Sequence, residues 1–225
     1  MKAFTQPLHD LSEYEQIVSD LAGHRTPIHI DGCIDSQKCH LISSIGEPYP
    51  VKLIVTYNEF KAKEIYADYQ FFDRNVFYYP AKDIIFYNAD IHGNLIVSQR
   101  MAVIKRMLEG EPVTVITTID GLFDRLLPLE EIAKNRLIFR AEDVLPLEAL
   151  SRELTAMGFE RVSQVESPGQ FAVRGGILDI YNLADECPYR LELWGDEIDS
   201  IRSFDAESQR SIEQVDKVII YPATE

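Results

Sequence analysis

Positive charge is what this 225-residue sequence has least of: 22 Lys and Arg stand against 37 Asp and Glu, a formal net charge of −15. A segment that gripped nucleic acid would need a Lys/Arg surface to neutralise phosphates. The shortage argues against direct nucleic-acid binding by this segment and for a protein partner. Long apolar runs are missing too. No stretch approaches the ~18 apolar residues of a membrane span, and the opening MKAFTQPLHDLSEYEQ has no apolar export core. A cytoplasmic chain with no membrane contact is expected. Cysteine is scarce: Cys33, Cys39 and Cys187 are odd in number and form no C-x-x-C pair, which favours reduced thiols over disulfides. His9, His24, His29, His40 and His92 form no pair or Cys/His cluster at zinc spacing, so no metal site is expected. There is no G-x-S-x-G elbow, and no catalytic residue is assigned.

What is present is alternation. Ser12 to Glu15 reads as a capping box opening a helix that Gly23 closes. Pro27 to Asp31 reads as a short strand and Ser36 to Ile45 as a helix. Val51 to Thr56 is apolar enough for a strand buried on both faces. Asn58 caps the next helix, Val76 to Tyr79 is a strand, Val97 to Glu109 a helix, and Val113 to Thr117 another strand. Thr118 or Asp120 caps a short helix after it. Strand–helix alternation of this kind implies a parallel α/β sheet. The pattern changes near Pro128. Leu137 to Arg140 is a strand, and Pro146 begins a helix whose Leu147, Leu150, Leu154 and Met157 keep helical spacing. From Arg161 onward the chain is mostly β. The expected architecture is an α/β, parallel-sheet domain over 1–127, a small α+β domain rich in antiparallel strands over 128–212, and over 213–225 the start of a segment returning to the first domain.

Two stretches carry candidate chemistry. The first is Gly32 to Cys39, which sits where a phosphate-binding loop, G-x-x-x-x-G-K-[ST], would join a strand to a helix. Gly32 and Lys38 keep the spacing, but Gln37 replaces the second glycine and Cys39 the metal-binding hydroxyl. A β-carbon at 37 obstructs the wrap around phosphates, a thiol is a poor Mg²⁺ ligand, and Asp35 adds negative charge. A coincidental turn and an inactive relic both remain open on spacing alone. The second stretch runs from Phe171 to Ser211. In Tyr189 to Trp194, Leu191 and Leu193 share one strand face while Arg190, Glu192 and Trp194 share the other. The only tryptophan beside an arginine on an outward face has the composition of a binding hot spot. Arg174 precedes Gly175 and Gly176, a pair that suggests a bulge or a close backbone approach. Eight carboxylates between 182 and 207 face only Arg190 and Arg202; they serve either to keep turns solvated or to steer a basic partner.

Arg174-Gly-Gly-Ile-Leu-Asp-Ile-Tyr181, Pro188-Tyr-Arg-Leu-Glu-Leu-Trp194, Asp196-Glu-Ile-Asp-Ser-Ile-Arg202, Phe204-Asp205 and Ser208-Gln-Arg-Ser211 resemble the N-terminal, UvrB-homologous region of the bacterial transcription-repair coupling factors, the Mfd family. The resemblance covers the whole chain and is densest over 165–222. It implies a non-catalytic fragment of a protein roughly five times longer. That protein would release RNA polymerase stalled at DNA lesions with an ATP-driven double-stranded-DNA translocase and recruit the excinuclease protein UvrA. It implies that the Gly32, Gln37, Lys38, Cys39 loop is a degenerate phosphate loop, and that Arg174, Arg190 and Trp194 contact UvrA. No cofactor is expected for this fragment; ATP and Mg²⁺ belong to the translocase part, as polymerase and DNA belong to other domains. Residues 82–96 are too short and too poor in aromatics for the DNA-gripping hairpin of UvrB. The alternative is an ATP-hydrolysing, UvrB-like helicase domain of nucleotide excision repair.

Overall fold

The computed structural model describes residues 5–82 and 90–224. They fall into two compact units, the described residues within 1–81 and 110–123, and those within 82–109 and 124–225. The first unit runs through α1 (Ser12–Ala22), α2 (Asp35–Ile45), β1 (Val51–Thr56), α3 (Glu59–Tyr69) and β2 (Val76–Tyr79). The chain passes through α4 (Asp90–Glu109) of the second unit and returns as β3 (Val113–Thr118) and α5 (Ile119–Phe123). β3 is the centre of a parallel three-stranded sheet, with β1 on one side and β2 on the other. Its sequence, VTVITT, is buried at every position, as a central parallel strand must be. Ile116 lies level with Ile54 and Tyr78 and packs with Cys39, Ala62, Tyr69 and Val76. Asn58 heads α3 by accepting the Lys61 N–H at 2.8 Å, and the Thr118 hydroxyl accepts the Gly121 N–H at 3.2 Å at the start of α5.

Three expectations for this unit are corrected. Ser12 is the first helical residue rather than a cap, and its hydroxyl donates to the Glu13 carboxylate at 2.7 Å. Residues 27–31 carry no regular structure; Pro27 has no N–H for a ladder, and no described strand pairs with the segment. β1 lies at an edge, so Val51, Leu53 and Val55 are exposed along one side instead of being covered on both.

The second unit continues with α6 (Leu129–Lys134), β4 (Leu137–Arg140), α7 (Leu147–Ala156), β5 (Glu160–Arg161), β6 (Gln170–Arg174), β7 (Ile177–Ile180), β8 (Tyr189–Trp194), β9 (Glu197–Phe204), β10 (Ser211–Gln214) and β11 (Lys217–Ile220). Strands β10 to β5 form one sheet in the order β10-β9-β8-β7-β6-β5, antiparallel apart from the β5–β6 pair. Level residues of antiparallel strands project from the same face, so Phe171 and Ile180, and Leu178, Leu191 and Ile201, share one face. That face is the core, covered by Leu150, Leu154 and Met157 at helical spacing and by Phe139, Val218 and Ile220. The last three come from β4 and β11, which pair antiparallel from Leu137↔Ile220 to Arg140↔Lys217. Lys217–Ile220, expected to begin a return to the first domain, therefore completes the core of the second unit. Residues 83–89, within the stretch weighed as too short for a DNA-gripping hairpin, lie outside the described residues.

Candidate functional site

The opposite face of the six-stranded sheet sets charged residues beside a small apolar cluster of Val165, Ala172 and Phe204, and one buried carboxylate organises the charged ones. Asp179 interrupts the otherwise apolar ILDI of β7 and is fully buried. Level with it are Ala172 on β6 and Arg190 on β8. Arg190 meets it with both ends of its guanidinium, Nε to Oδ1 at 2.7 Å and Nη2 to Oδ2 at 2.9 Å. Arg174, at the end of β6, also donates to Oδ2. Arg190 is held from two further directions. Its Cζ lies 4.4 Å from the centre of the Phe204 ring, and Nη2 donates to Gln209 Oε1 at 3.2 Å. The Asp179 carboxylate raises the Arg190 pKa above its usual value, against the opposing effect of burial. A buried carboxylate without partners costs several kcal/mol; here two arginines offset that cost.

The three residues singled out for partner contact therefore differ in standing. Trp194 is 87% exposed. The Arg174 side chain is 42% exposed and turned back on Asp179. The Arg190 side chain is only 15% exposed, and its donors point inward. The structure brings Arg174 and Arg190 together on one carboxylate, with Trp194 farther along the same face of β8. Sequence reasoning gives no role to Asp179, Phe204 or Gln209. The available signal was an aspartate inside an apolar strand, which has to find cations.

Two tight turns bring the exposed end into shape. Gly175 and Gly176 form the two-residue loop between β6 and β7 rather than a bulge within a strand. Gly175 has φ +59°, and Gly176 packs so closely on β8 that a Cβ would lie 2.9 Å from the Leu193 carbonyl oxygen. Gly195, with φ +65°, opens the Gly195-Asp196 loop between β8 and β9. Both loops lie at the Trp194 end of the sheet.

Residues 137–225 match the model of the UvrB interaction domain. This part of the chain is a UvrB interaction domain. Across a wider span the chain is homologous to transcription-repair-coupling factors. The Bacillus subtilis protein is 34% identical over 174 residues, 76% of this chain. That of Staphylococcus aureus is 34% identical over 190 residues, or 82%, and that of Staphylococcus haemolyticus 31% over 213 residues, or 93%. The chain spans only 15%, 16% and 18% of those three proteins. The interaction domain contains all of the polar face just described.

Outside the interaction domain, the Gly32–Cys39 segment follows an irregular stretch, and α2 begins at Asp35. Gln37 Oε1 accepts the Ile34 N–H at 3.3 Å. Lys38 is exposed, and Cys39 is buried against Ala62 and Tyr69 at 1% exposure. Burial, then the negative charge of Asp68, pushes the Cys39 thiol pKa up. Among the described residues no group of three or more His, Cys, Asp or Glu side chains is placed to share a metal ion, and no helix is long and apolar enough to cross a membrane.

Proposed function

We propose that this chain is the recruitment part of a transcription-repair coupling factor and that the Trp194 end of its polar sheet face docks the excinuclease protein UvrA. The observation that carries this reading is the 87% exposure of the only tryptophan, on a strand whose neighbouring polar residues are locked in place. Large aromatics left in solvent are the usual anchors of protein interfaces. Arg174 adds a half-exposed charge to the same face. Arg190 acts as the clip that sets the strand, through Asp179 and Phe204. In the intact protein, polymerase release, duplex DNA and ATP with Mg²⁺ belong to other parts of the chain.

In this reading the Gly32–Cys39 loop is a relic that binds no nucleotide. Its residues do not fit a nucleotide–Mg²⁺ pair: the Gln37 amide is engaged with the Ile34 N–H and the Cys39 thiol faces the core. Calorimetry with purified UvrA tests the docking. Trp194→Ala is expected to weaken binding at least ~30-fold, as for a hot spot, and Arg174→Ala by about tenfold; parental affinity in both would sink the assignment. A labelled ATP analogue tests the relic. Micromolar, Mg²⁺-dependent binding abolished by Lys38→Ala would restore the helicase alternative.

A further inference from the structure

A row of three residues crosses the Trp194 end of the sheet and reaches a segment outside the docking face described so far. Residues 142–145 run beside β9. The Glu142 N–H donates to the Ile198 carbonyl at 2.9 Å, the Ile198 N–H to that of Asp143 at 2.9 Å, and the Leu145 N–H to that of Asp196 at 2.6 Å. In this ladder Val144 lies level with Glu197, antiparallel, and Glu197 lies level with Trp194 across the β8–β9 turn. Level residues of antiparallel strands project from one face, ~5 Å apart, which sets Val144 and Trp194 on either side of Glu197 and ~10 Å from each other.

Val144 is 69% exposed and Trp194 87%. A lone exposed valine needs no explanation. A valine and the only tryptophan in one row, with a carboxylate between them, make an alternating apolar–acidic–apolar strip. Glu142, Asp143, Asp196 and Asp199 add further negative charge in the two paired segments. This collar repels phosphate and favours a cationic protein surface.

We propose that the Val144–Glu197–Trp194 row is one contact unit: Trp194 and Val144 enter two apolar sockets on UvrA, and Glu197 meets a lysine or arginine set between them. The proposal rests on the docking reading above and adds two residues, Val144 and Glu197, and a partner chemistry to it. The row also explains why 142–145 follows β9 as an added edge, since that ladder is what brings Val144 level with Trp194.

The test is calorimetry of the full chain against purified UvrA at low and at physiological salt. Val144→Asp is expected to lower affinity by about tenfold or more, and Val144→Thr, which keeps shape and strand preference, by a smaller factor. Glu197→Gln should lower affinity and flatten its salt dependence, because one screened ion pair is lost. Unchanged urea unfolding in each variant shows that binding rather than folding has moved. If Trp194→Ala abolishes binding while Val144→Thr, Val144→Asp and Glu197→Gln bind like the parent, the row is wrong and the docking reading stands. Parental binding by Trp194→Ala overturns the docking reading itself.

Discussion

Asp179 is the residue on which the polar face depends. It is fully buried and held by two guanidiniums, so removing it leaves the mostly buried Arg190 without its carboxylate, while the half-exposed Arg174 can turn to solvent. Asp179→Ala is expected to cost about 3–5 kcal/mol, the loss seen when one member of a buried ion pair is deleted, while Trp194→Ala changes stability by less than about 0.5 kcal/mol. Urea unfolding of the two variants checks this contrast. It also separates roles that composition alone merges: Arg190 variants lose stability, whereas Trp194 variants lose only what Trp194 binds. A second carboxylate brings a pH dependence to the first unit. Burial pushes the Asp73 pKa up, but the Asn75 N–H, the Thr114 hydroxyl and the Lys52 ammonium outweigh it and leave the pKa below the ordinary carboxylate value. A folded pKa below the unfolded one stabilises at pH above the unfolded value, about 4, and the stabilisation is lost as pH falls through the folded pKa. Asp73→Asn is therefore expected to cost about 1 kcal/mol at neutral pH. The gap from the parent should narrow as the pH falls through the folded-state pKa, as read by urea titration at neutral and at acidic pH.

At the scale of elements, the hairpins of the interaction domain set which side chains reach the surface. The β6–β7 turn makes different demands on its two glycines. Gly175 needs a positive φ but faces open space, so Gly175→Asn should cost less than about 0.5 kcal/mol. Gly176 has no room for a Cβ against the Leu193 carbonyl, so Gly176→Ala should cost about 1–3 kcal/mol through a backbone shift. Thermal melts of the pair check the ranking. The alternation of Arg190, Glu192 and Trp194 with the leucines makes the two faces of β8 legible in the residue order itself. So does the spacing of Leu150 and Leu154 on α7 with Met157 at its C-terminal cap, because a period of two or of 3.6 is written in single residues. Pro27 to Asp31 is misleading for the converse reason. Its composition suits a strand, but a strand exists only where a neighbour supplies the ladder, and none of the described strands does so.

For the whole molecule, the charge of −15 is the dominant long-range property. In gel shifts at physiological salt, this chain alone is expected to retain no duplex DNA at concentrations where basic domains bind, about 1–100 μM; a retarded band in that range would contradict the reading of an acidic adaptor. The chain divides into two units, and the UvrB interaction domain match begins inside the second, at residue 137. Its last strand, β11, supplies Val218 and Ile220 to the core around α7. The second unit is thus closed by residues far along the chain from β4, their partner strand.

The sequence by itself determined the mixed α/β character, the two faces of β8, the outward tryptophan and the kinship with coupling factors, since each rests on local period or residue identity. Only the tertiary structure decided that Arg190 is a buried clip rather than a free contact and that Asp179 is its partner. The same is true of Val144 standing level with Trp194 and of β11 pairing with β4. Those outcomes depend on which strands become neighbours and in what register, and register is a property of pairs of segments, absent from either one alone.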